Sequence, residues 1–156
     1  MDEAEFSAFY LATWDPLWRY VRRSTMDAAA TDDIVQGAFV RLVGTRRDLR
    51  GDEARRYVYA IATNLLRDRA RRDARERGTE SVEPTAEQRD AIERIGLETV
   101  LAKLSERDRQ ILWLAHIDGY DRRSIAKILN LNVLSVGPLL FRARGRLRAL
   151  LEVHEE

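Results

Sequence analysis

Residues 55–77 carry apolar side chains at the i, i+3, i+4, i+7 and i+8 spacing that an amphipathic helix presents to a core. This apolar side consists of Val58, Ile61, Ala62, Leu65 and Leu66. The opposite side mixes guanidinium groups with an amide, a hydroxyl and a phenol, in Arg56, Tyr57, Thr63, Asn64, Arg67 and Arg71. Guanidinium groups suit phosphate, and the other groups can hydrogen-bond to bases or stack on them, so this side is a candidate nucleic-acid surface. For this stretch alone, a solvated arginine-rich face is an equally good interpretation.

Two helices are predicted before this one. The first covers about residues 4–24, where aromatic and aliphatic side chains recur at helical spacing, with Pro16 as a kink or a break into two helices. The second is predicted to begin with Thr31 as its N-cap, followed by two acidic residues in the first turn, where the helix dipole favours negative charge. Its buried side is predicted to contain Ile34, Val35, Ala38, Phe39, Leu42 and Val43.

The predicted fold class is all-α, because sustained alternation of apolar and polar residues and hairpin signals are not found in the sequence. Helical periodicity is lost over residues 78–92, which are rich in acids and contain Pro84. We therefore expect two small helical domains, residues 1–77 and 93–156, joined by an acidic linker.

The second domain is predicted to contain a helix-turn-helix. Ser105 and Asp121 are predicted N-caps, and Gly119 is expected to end the helix between them. A short helix, a tight turn and an arginine-rich helix follow, which is the order of a helix-turn-helix. Because residues 139–148 contain four arginines and no acid, this last helix is expected to attract phosphate.

Composition excludes several classes of function. The chain has 156 residues, 45% apolar content and no cysteine, which allows a packed core but no disulfide framework and no thiolate metal site. With only two scattered histidines, we expect no metal and no cofactor. The sequence has neither a long apolar run nor a signal-peptide pattern, so a cytoplasmic protein without membrane insertion is predicted. The net charge of +1 conceals eight arginines against three acids in residues 55–77.

Six segments, in order, resemble the extracytoplasmic-function (ECF) sigma factors, bacterial transcription initiation factors with two helical domains and a linker. In the first half they are DDIVQGAFVRL (32–42), LRG (49–51) and RRYVYAIATNLLRDRARR (55–72). In the second half they are LSERDRQILWL (104–114), DGYDRRSIAKIL (118–129) and LLFRARGRLRALL (139–151). The resemblance covers nearly the whole chain.

The resemblance implies roles for the first domain. The helix matching residues 32–43 would dock on the clamp helices of the RNA polymerase core, through Asp33, Gln36 and Val40. The helix matching residues 55–72 would recognise and help melt the −10 promoter element, with an unstacked base held beside the preceding loop. Base contacts are then expected from Tyr57, Thr63 and Asn64, and phosphate contacts from Arg56, Arg67, Arg71 and Arg72.

The second domain would bind the −35 element, and here the sequence departs from the family pattern. Gly137 and Leu139 stand where a lysine and an arginine are usual, with Pro138 between them. A helix that begins at Asn132 would place this proline in its second turn, at a cost of about 3 kcal/mol. We favour a cap at Ser135, which would place it in the first turn. The expected DNA contacts, chiefly to the backbone, are Ser135, Arg142, Arg144 and Arg146.

The main hypothesis is a promoter-recognising sigma factor that binds polymerase core and promoter DNA. The alternative is a sigma-like interaction module that binds an anti-sigma factor or another regulator, with weak or no −35 recognition. Its protein-facing apolar patch would be Leu134, Val136, Leu139 and Leu140. An enzyme is not expected, because the sequence offers no carboxylate cluster, metal-ligand set or catalytic triad.

Overall fold

The structure, a computed structural model, describes residues 1–77 and 96–155. These residues contain seven helices and no strand, which confirms the all-α prediction. The helices are α1 (Glu3–Thr25), α2 (Ala28–Gly44), α3 (Gly51–Arg77), α4 (Leu97–Ala102), α5 (Glu106–His116), α6 (Arg122–Leu129) and α7 (Val133–Glu155). The predicted linker, residues 78–92, lies outside the described residues.

Helix α1 is continuous through Pro16, so of the two predicted alternatives, a kink or a break, the break into two helices is wrong. The helix begins with a capping box, in which the Asp2 carboxylate accepts from the Glu5 amide at 2.8 Å and the Glu5 carboxylate accepts from the Asp2 amide at 3.3 Å. Pro16 removes one main-chain hydrogen bond. Burial of the inner side of α1, which includes Leu17 and Tyr20 at 0% exposure, offsets this loss.

Helix α2 begins one turn earlier than predicted. Its cap is Asp27, whose carboxylate accepts from the amides of Ala29 and Ala30 at 3.0 and 3.3 Å. The predicted cap, Thr31, is wrong: its side chain is fully buried and its hydroxyl donates to the main-chain oxygen of Asp27. The three alanines before Thr31 are strong helix formers and extend the helix backwards. Val43, predicted to be buried, is 63% exposed.

The first three helices pack together, and a cluster of aromatic rings joins α1 to α2. Phe39 of α2 lies at its centre, with ring centroids 4.8 Å from Tyr10 and 5.9 Å from Trp14 of α1. Phe6 and Phe9 contact the same ring edge-on. The aromatic residues of the first predicted helix are therefore partly buried and pack against the core, and only Tyr20 is fully buried.

Helices α6 and α7 form the predicted helix-turn-helix. Both predicted caps of the second half are present: the Ser105 hydroxyl accepts from the Asp108 amide at 3.1 Å, and the Asp121 carboxylate accepts from the Ser124 amide at 2.8 Å. Asn130 ends α6 in the left-handed region, with φ of 55°. The axes of α6 and α7 differ by 95°, which is typical of a helix-turn-helix.

The two halves of the chain pack directly against each other. Helix α6 lies against α3, and α5 lies against α1, so that the buried apolar side chains of both halves form one cluster. An ion pair between Arg23 of α1 and Glu98 of α4, at 2.8 Å, also joins them. Helix α3 is consequently covered on two sides, by α1 and α2 and by α6.

Candidate nucleic-acid interface

The predicted nucleic-acid face of α3 is largely accessible. Asn64, Arg71 and Arg72 are exposed, and Arg56, Tyr57 and Arg67 are half-buried. Asn64 and Arg71 are seven residues apart and so lie on one side of the helix. An amide, a phenol and several guanidinium groups therefore share one continuous surface, as the periodicity predicts.

Thr63 is the exception on this face. Its side chain is fully buried, so its predicted place on the accessible surface is wrong. The Thr63 hydroxyl donates to the main-chain oxygen of Tyr59 at 2.8 Å and lies 2.7 Å from the Tyr20 hydroxyl of α1. Because Tyr20 of α1 covers this side of α3, the buried arc of the helix is wider than the apolar stripe of the sequence.

A cleft of about 360 Å³ opens beside Tyr57, at the N-terminal part of α3. We call it the Tyr57 cleft; its lining residues are Arg47, Glu53, Arg56, Tyr57, Ala60 and Lys127. The Arg47 guanidinium, from the loop before α3, lies 5.4 Å from the centre of the Tyr57 ring. The cleft thus combines an aromatic face with three cationic side chains and one carboxylate, a composition that suits a base and its phosphate.

Arg67 is held by the second half of the chain. Its guanidinium donates a hydrogen bond to the main-chain oxygen of Leu129, at the C-terminal end of α6. Unpaired carbonyl groups at a helix C-terminus attract a cation, so this contact stabilises the packing of α6 on α3. In this arrangement Arg67 is less available to phosphate than Arg71.

The interface between the halves also contains a cluster of polar aromatic residues. The rings of Tyr59 and Tyr120 meet edge-on at 5.4 Å, and the Arg55 guanidinium lies 5.9 and 5.7 Å from their centres. Both phenol oxygens and one carboxylate oxygen of Asp118 are buried in this cluster. Burial raises the pKa of the Asp118 carboxyl to about 6 and that of the Tyr120 phenol to about 12.

Helix α7 begins at the earlier of the two predicted starts, with Asn132 as its cap, and not at the favoured cap Ser135. The Asn132 side chain accepts from the Leu134 amide at 2.9 Å, and the helix starts at Val133. The favoured cap at Ser135 is therefore wrong, and Ser135 is an exposed residue of the first turn. Pro138 lies inside the helix, in its second turn. The Asn132 cap and the burial of Val136 and Leu140 offset the hydrogen bond that the proline removes.

Gly137 makes room for a cation from the preceding helix. A Cβ atom at Gly137 would lie 3.3 Å from Nη1 and 3.4 Å from Cζ of Arg122, which is closer than most side-chain contacts. The Arg122 guanidinium therefore lies over the place where a side chain at position 137 would begin. The positive charge that the family pattern carries on this helix is here supplied from α6.

The arginines of α7 differ in their exposure and in their hydrogen-bonding partners. Arg142 is exposed, and so is Arg144, whose Nε donates to His116 at 3.0 Å. Arg146 instead pairs with Asp108, with Nη1 2.8 and 3.0 Å from the two carboxylate oxygens. The Asp108 side chain is only 8% exposed, so Arg146 neutralises a nearly buried charge.

The apolar patch predicted for the alternative hypothesis is wrong in its composition. Val136 and Leu140 are buried within the helix-turn-helix, and Leu139 is half-buried. Leu134 is 82% exposed, and so is Phe141, at 76%, which was not among the predicted residues. Leu134 and Phe141 are seven residues apart, so a predicted helix beginning at Val133 would have placed both on the same exposed side.

The predicted polymerase-binding residues lie on the outer side of α2. Asp33, Gln36 and Val40 are all exposed, at a spacing that places them in one row. Beside this row is a shallow groove of about 300 Å³, lined by Phe6, Tyr10, Trp14, Gln36, Phe39, Val40 and Val43. Exposed apolar side chains next to polar ones are typical of a protein-binding surface.

Two cations of the Tyr57 cleft were not predicted from the sequence. Arg47 belongs to the loop segment GTRRDLRG, whose arginines are a visible signal of positive charge. Lys127 belongs to the second half and approaches Tyr57 only because α6 packs on α3, for which the sequence holds no local signal. Among the described residues, no group of three or more histidine, aspartate or glutamate side chains could hold a metal ion.

One helical unit with a mixed basic and polar face and a second with a helix-turn-helix are typical of a DNA-binding protein. Residues 9–76 match the family described as sigma-70 region 2, and residues 94–147 match sigma-70, region 4. The chain is 30% identical over 148 residues to the ECF RNA polymerase sigma factor SigL of Mycobacterium tuberculosis, covering 87% of this chain and 82% of that protein. The chain therefore belongs to the ECF sigma factors of the sigma-70 family.

Solved structures agree with this fold. The sigma factor RpoE of Bartonella quintana, in complex with the anti-sigma factor NepR, superposes with a TM-score of 0.76 at 18% identity, covering 95% of this chain and 97% of RpoE. CnrH, in complex with the cytosolic domain of CnrY, gives a TM-score of 0.73 at 25% identity, covering 97% of this chain and 90% of CnrH. Members of the family bind RNA polymerase and promoter DNA.

Among the described residues, no single helix is long and apolar enough to cross a membrane. Taken together, α6 and α7 are long and apolar enough to cross a membrane, although their axes are bent by 95°.

Proposed function

We propose that this sigma factor directs RNA polymerase core to promoters by capturing the −10 element on α3 and binding an upstream −35 element with α7. The observation that carries the proposal is the accessible face of α3, where Tyr57, Asn64 and Arg71 combine base-binding and phosphate-binding groups. We assign these roles to residues 1–77 and 93–156, respectively. The roles are in binding, and no covalent step is assigned to the chain.

Capture of an unstacked base in the Tyr57 cleft would hold the DNA strands apart. Stacking on an aromatic ring is worth about 1–3 kcal/mol per base, which is comparable to the cost of unstacking one base. The Tyr57 ring supplies such a platform, while Arg47 and Arg56 lie close enough to contact the flanking phosphates. Asn64, two turns along α3, offers both a donor and an acceptor to a neighbouring base edge.

Binding of the −35 element is assigned to the exposed side of α7. Ser135 in the first turn and Arg142 further along are accessible. Arg144 can join them by giving up its hydrogen bond to His116, which is itself exposed. Arg146 is a weaker candidate for phosphate, because its charge already balances that of Asp108.

Polymerase core would dock on α2. Asp33, Gln36 and Val40 form its exposed row, and the neighbouring groove adds the rings of Tyr10 and Trp14 to the same surface. Such a combination of an apolar centre and a polar rim supports a protein contact. A location in the cytoplasm, with the polymerase and the chromosome, follows from this role.

An anti-sigma factor is the second proposed partner. RpoE and CnrH, which share this fold, are bound to NepR and to the cytosolic domain of CnrY, respectively. In this chain α6 packs on α3, and Arg67, one of the proposed DNA-binding residues, is hydrogen-bonded to the main-chain oxygen of Leu129. A protein that stabilises this packed arrangement would oppose promoter binding, because Arg67 cannot then turn to phosphate.

Transcription from a randomised promoter library tests the proposal. Purified polymerase core is combined with the chain, and the transcripts and their upstream DNA are sequenced. Enrichment of particular bases at −10 and −35 is the expected result. The variant Arg71→Ala should weaken binding across all sequences and reduce the salt slope by about 1, since one phosphate contact is lost. Folded protein and active core that give no transcript would overturn the proposed function.

A further inference from the structure

The solvent side of α7 carries an apolar stripe. Leu134, Pro138, Phe141 and Gly145 recur at i, i+4, i+7 and i+11, and this spacing places them on one side of the helix. All four are exposed, with Leu134 at 82% and Phe141 at 76%. The buried residues Val136, Leu140 and Ala143 occupy the opposite side. We call these four residues the α7 stripe.

Positive charge flanks the α7 stripe on both sides. Arg142 lies along one edge, and Arg148 and the Arg122 guanidinium beside Gly137 lie along the other. The sequence has no acidic residue from Val133 to Leu151. A helix in the major groove has base edges beneath it and a phosphate backbone on each side. An apolar centre between two cationic edges matches that arrangement of apolar and anionic groups.

The apolar centre restricts which base edges the helix can favour. In the major groove guanine, adenine and cytosine present only hydrogen-bonding groups, whereas thymine also presents its C5-methyl group. Leucine, proline and phenylalanine side chains cannot satisfy a donor or an acceptor, so covering a polar edge with them carries a desolvation cost. Covering a methyl group is favourable. Gly145, with no side chain on the same line, leaves room for close approach of the backbone to the groove.

We propose that the α7 stripe recognises thymine methyl groups in the upstream promoter element, with Leu134 and Phe141 as the specificity-determining side chains and Arg122, Arg142 and Arg148 as the phosphate contacts beside them. This inference rests on the proposed function. In this proposal the side chains at the centre of α7 contact the thymine methyl groups by apolar packing and do not hydrogen-bond to base edges.

The charge of the surroundings favours DNA over a protein partner. A protein helix docked on the α7 stripe would use the same apolar residues, but it would need acidic residues on both of its flanks to match the three arginines. Duplex DNA carries phosphates on both sides of the groove at every position. Binding of a protein is therefore an outcome of the test and not the proposal.

The test exchanges thymine for uracil, which keeps the base pair and the O4 acceptor and removes only the C5-methyl group. Polymerase core with the full chain first selects promoters from a randomised library. The selected duplexes are then remade with uracil in the upstream element only, and binding is compared by competition. We expect the affinity to fall about fourfold for each contacted thymine, the effect of one buried methyl group.

Variants assign that effect to the α7 stripe. Leu134→Ala and Phe141→Ala should bring the ratio of thymine to uracil affinity towards one, and both residues are exposed enough for the fold to survive. Arg142→Ala should weaken both duplexes and keep the ratio. Leu11→Ala, which removes a 77% exposed side chain from α1, is the matched control and should change neither value.

The outcomes separate the inference from the proposed function. Two results would overturn the inference alone, provided that transcription occurs with enrichment at −10. One is a ratio of thymine to uracil affinity of one for the unaltered chain, and the other is a lack of enrichment in the upstream element. A ratio that persists in both Leu134→Ala and Phe141→Ala would also overturn it. Loss of binding to a protein partner in Phe141→Ala, together with a ratio of one, would assign the stripe to that partner. The absence of transcription and of any enrichment would overturn the proposed function itself.

Discussion

The guanidinium of Arg109, in α5, donates a 2.7 Å hydrogen bond to the main-chain oxygen of Ser24, at the end of α1. The same group also donates to the main-chain oxygens of Arg23, Leu101 and Leu104. The Arg23, Ser24 and Leu101 carbonyl groups belong to the last turns of α1 and α4, and Leu104 lies two residues beyond α4. Carbonyl groups at helix C-termini commonly lack helical partners. One side chain of the second half thus satisfies acceptors in both halves.

Replacement of Arg109 by alanine is therefore expected to loosen the packing of the halves. Four partly buried carbonyl groups would lose a charged donor, and we expect the free energy of unfolding to fall by about 2–4 kcal/mol. Urea denaturation measures this fall, and small-angle scattering should show a larger radius of gyration. Arg107→Ala, at an exposed position in the same helix, is the control. Equal stability and equal radius for the two variants would contradict the role of Arg109.

The stability of the packed arrangement is expected to depend on pH through Asp118. Burial raises the pKa of this carboxyl from 3.8 to about 6, so between these values the folded chain binds more protons than the unfolded chain. The free energy of unfolding contributed by Asp118 therefore falls as the pH rises from about 4 to 6, and the loss is complete above pH 6. Asp118→Asn should remove this dependence.

The expected gain for Asp118→Asn at pH 8 is on the order of 1–2 kcal/mol, after allowance for the solvent that still reaches the carboxylate. At pH 3.5 the variant and the original chain should differ in stability by less than about 0.5 kcal/mol, since the carboxyl is then protonated in the folded chain and mostly protonated in the unfolded chain. Thermal unfolding followed by circular dichroism across this range measures both values. Parallel pH profiles for the two proteins would show that Asp118 is not the titrating group.

Thr63 and Tyr20 are expected to be energetically coupled. Thr63→Val would leave the Tyr20 hydroxyl, which is fully buried, without its 2.7 Å partner, at a cost of about 1–3 kcal/mol. Tyr20→Phe should cost less, because the Thr63 hydroxyl keeps the main-chain oxygen of Tyr59 as its acceptor. In a double-mutant cycle the two costs should therefore not add. Additive costs would mean that the hydrogen bond contributes nothing to stability.

The periodicity of the sequence predicted the helices well, because each long helix buries an apolar side whichever helix it packs against. Prediction failed where a helix has a second neighbour. Thr63 looks accessible on a single helix, yet its hydroxyl lies 2.7 Å from that of Tyr20 in α1, a residue 43 positions away. In the same way, the packing of α6 on α3 brings Lys127 into the Tyr57 cleft.

The predicted N-caps of two helices were also wrong. Thr31 and Ser135 are both good capping residues, but in each case a capping residue upstream is used instead: Asp27 for α2 and Asn132 for α7. For α7 this places Pro138 within the helix, an arrangement that propensity disfavours and that the buried side of the helix supports. The exposed positions of Leu134 and Phe141 follow from this register.

Gly37, inside α2, is not required by packing. A Cβ atom there would make an ordinary contact of 3.5 Å with Leu65. Because glycine within a helix is less stable than alanine, Gly37→Ala is expected to raise the free energy of unfolding by about 0.5–1 kcal/mol. Urea denaturation measures the change, with Gly44→Ala at the last residue of α2 as a comparison. A loss of stability in Gly37→Ala would show that the Leu65 contact does not tolerate a methyl group.

Arg142 and Arg146 provide a matched pair on α7, four residues apart, that separates DNA binding from stability. Arg146→Ala would leave Asp108, at 8% side-chain exposure, without its cation, and we expect a loss of about 3 kcal/mol in the free energy of unfolding. Arg142→Ala removes an exposed side chain and should change stability by less than about 0.5 kcal/mol. Urea denaturation at neutral pH measures both.

The effects on DNA should be the reverse. Arg142→Ala is expected to reduce the slope of log affinity against log salt by about 1, because one phosphate contact is lost. Arg146→Ala, measured where it is fully folded, should leave this slope unchanged, because its guanidinium is bound to the Asp108 carboxylate in the native chain. Fluorescence anisotropy with a promoter duplex at several salt concentrations gives both slopes. If Arg146→Ala reduces the slope as much as Arg142→Ala does, the ion pair with Asp108 must open when DNA binds, and the predicted phosphate contact of Arg146 would stand.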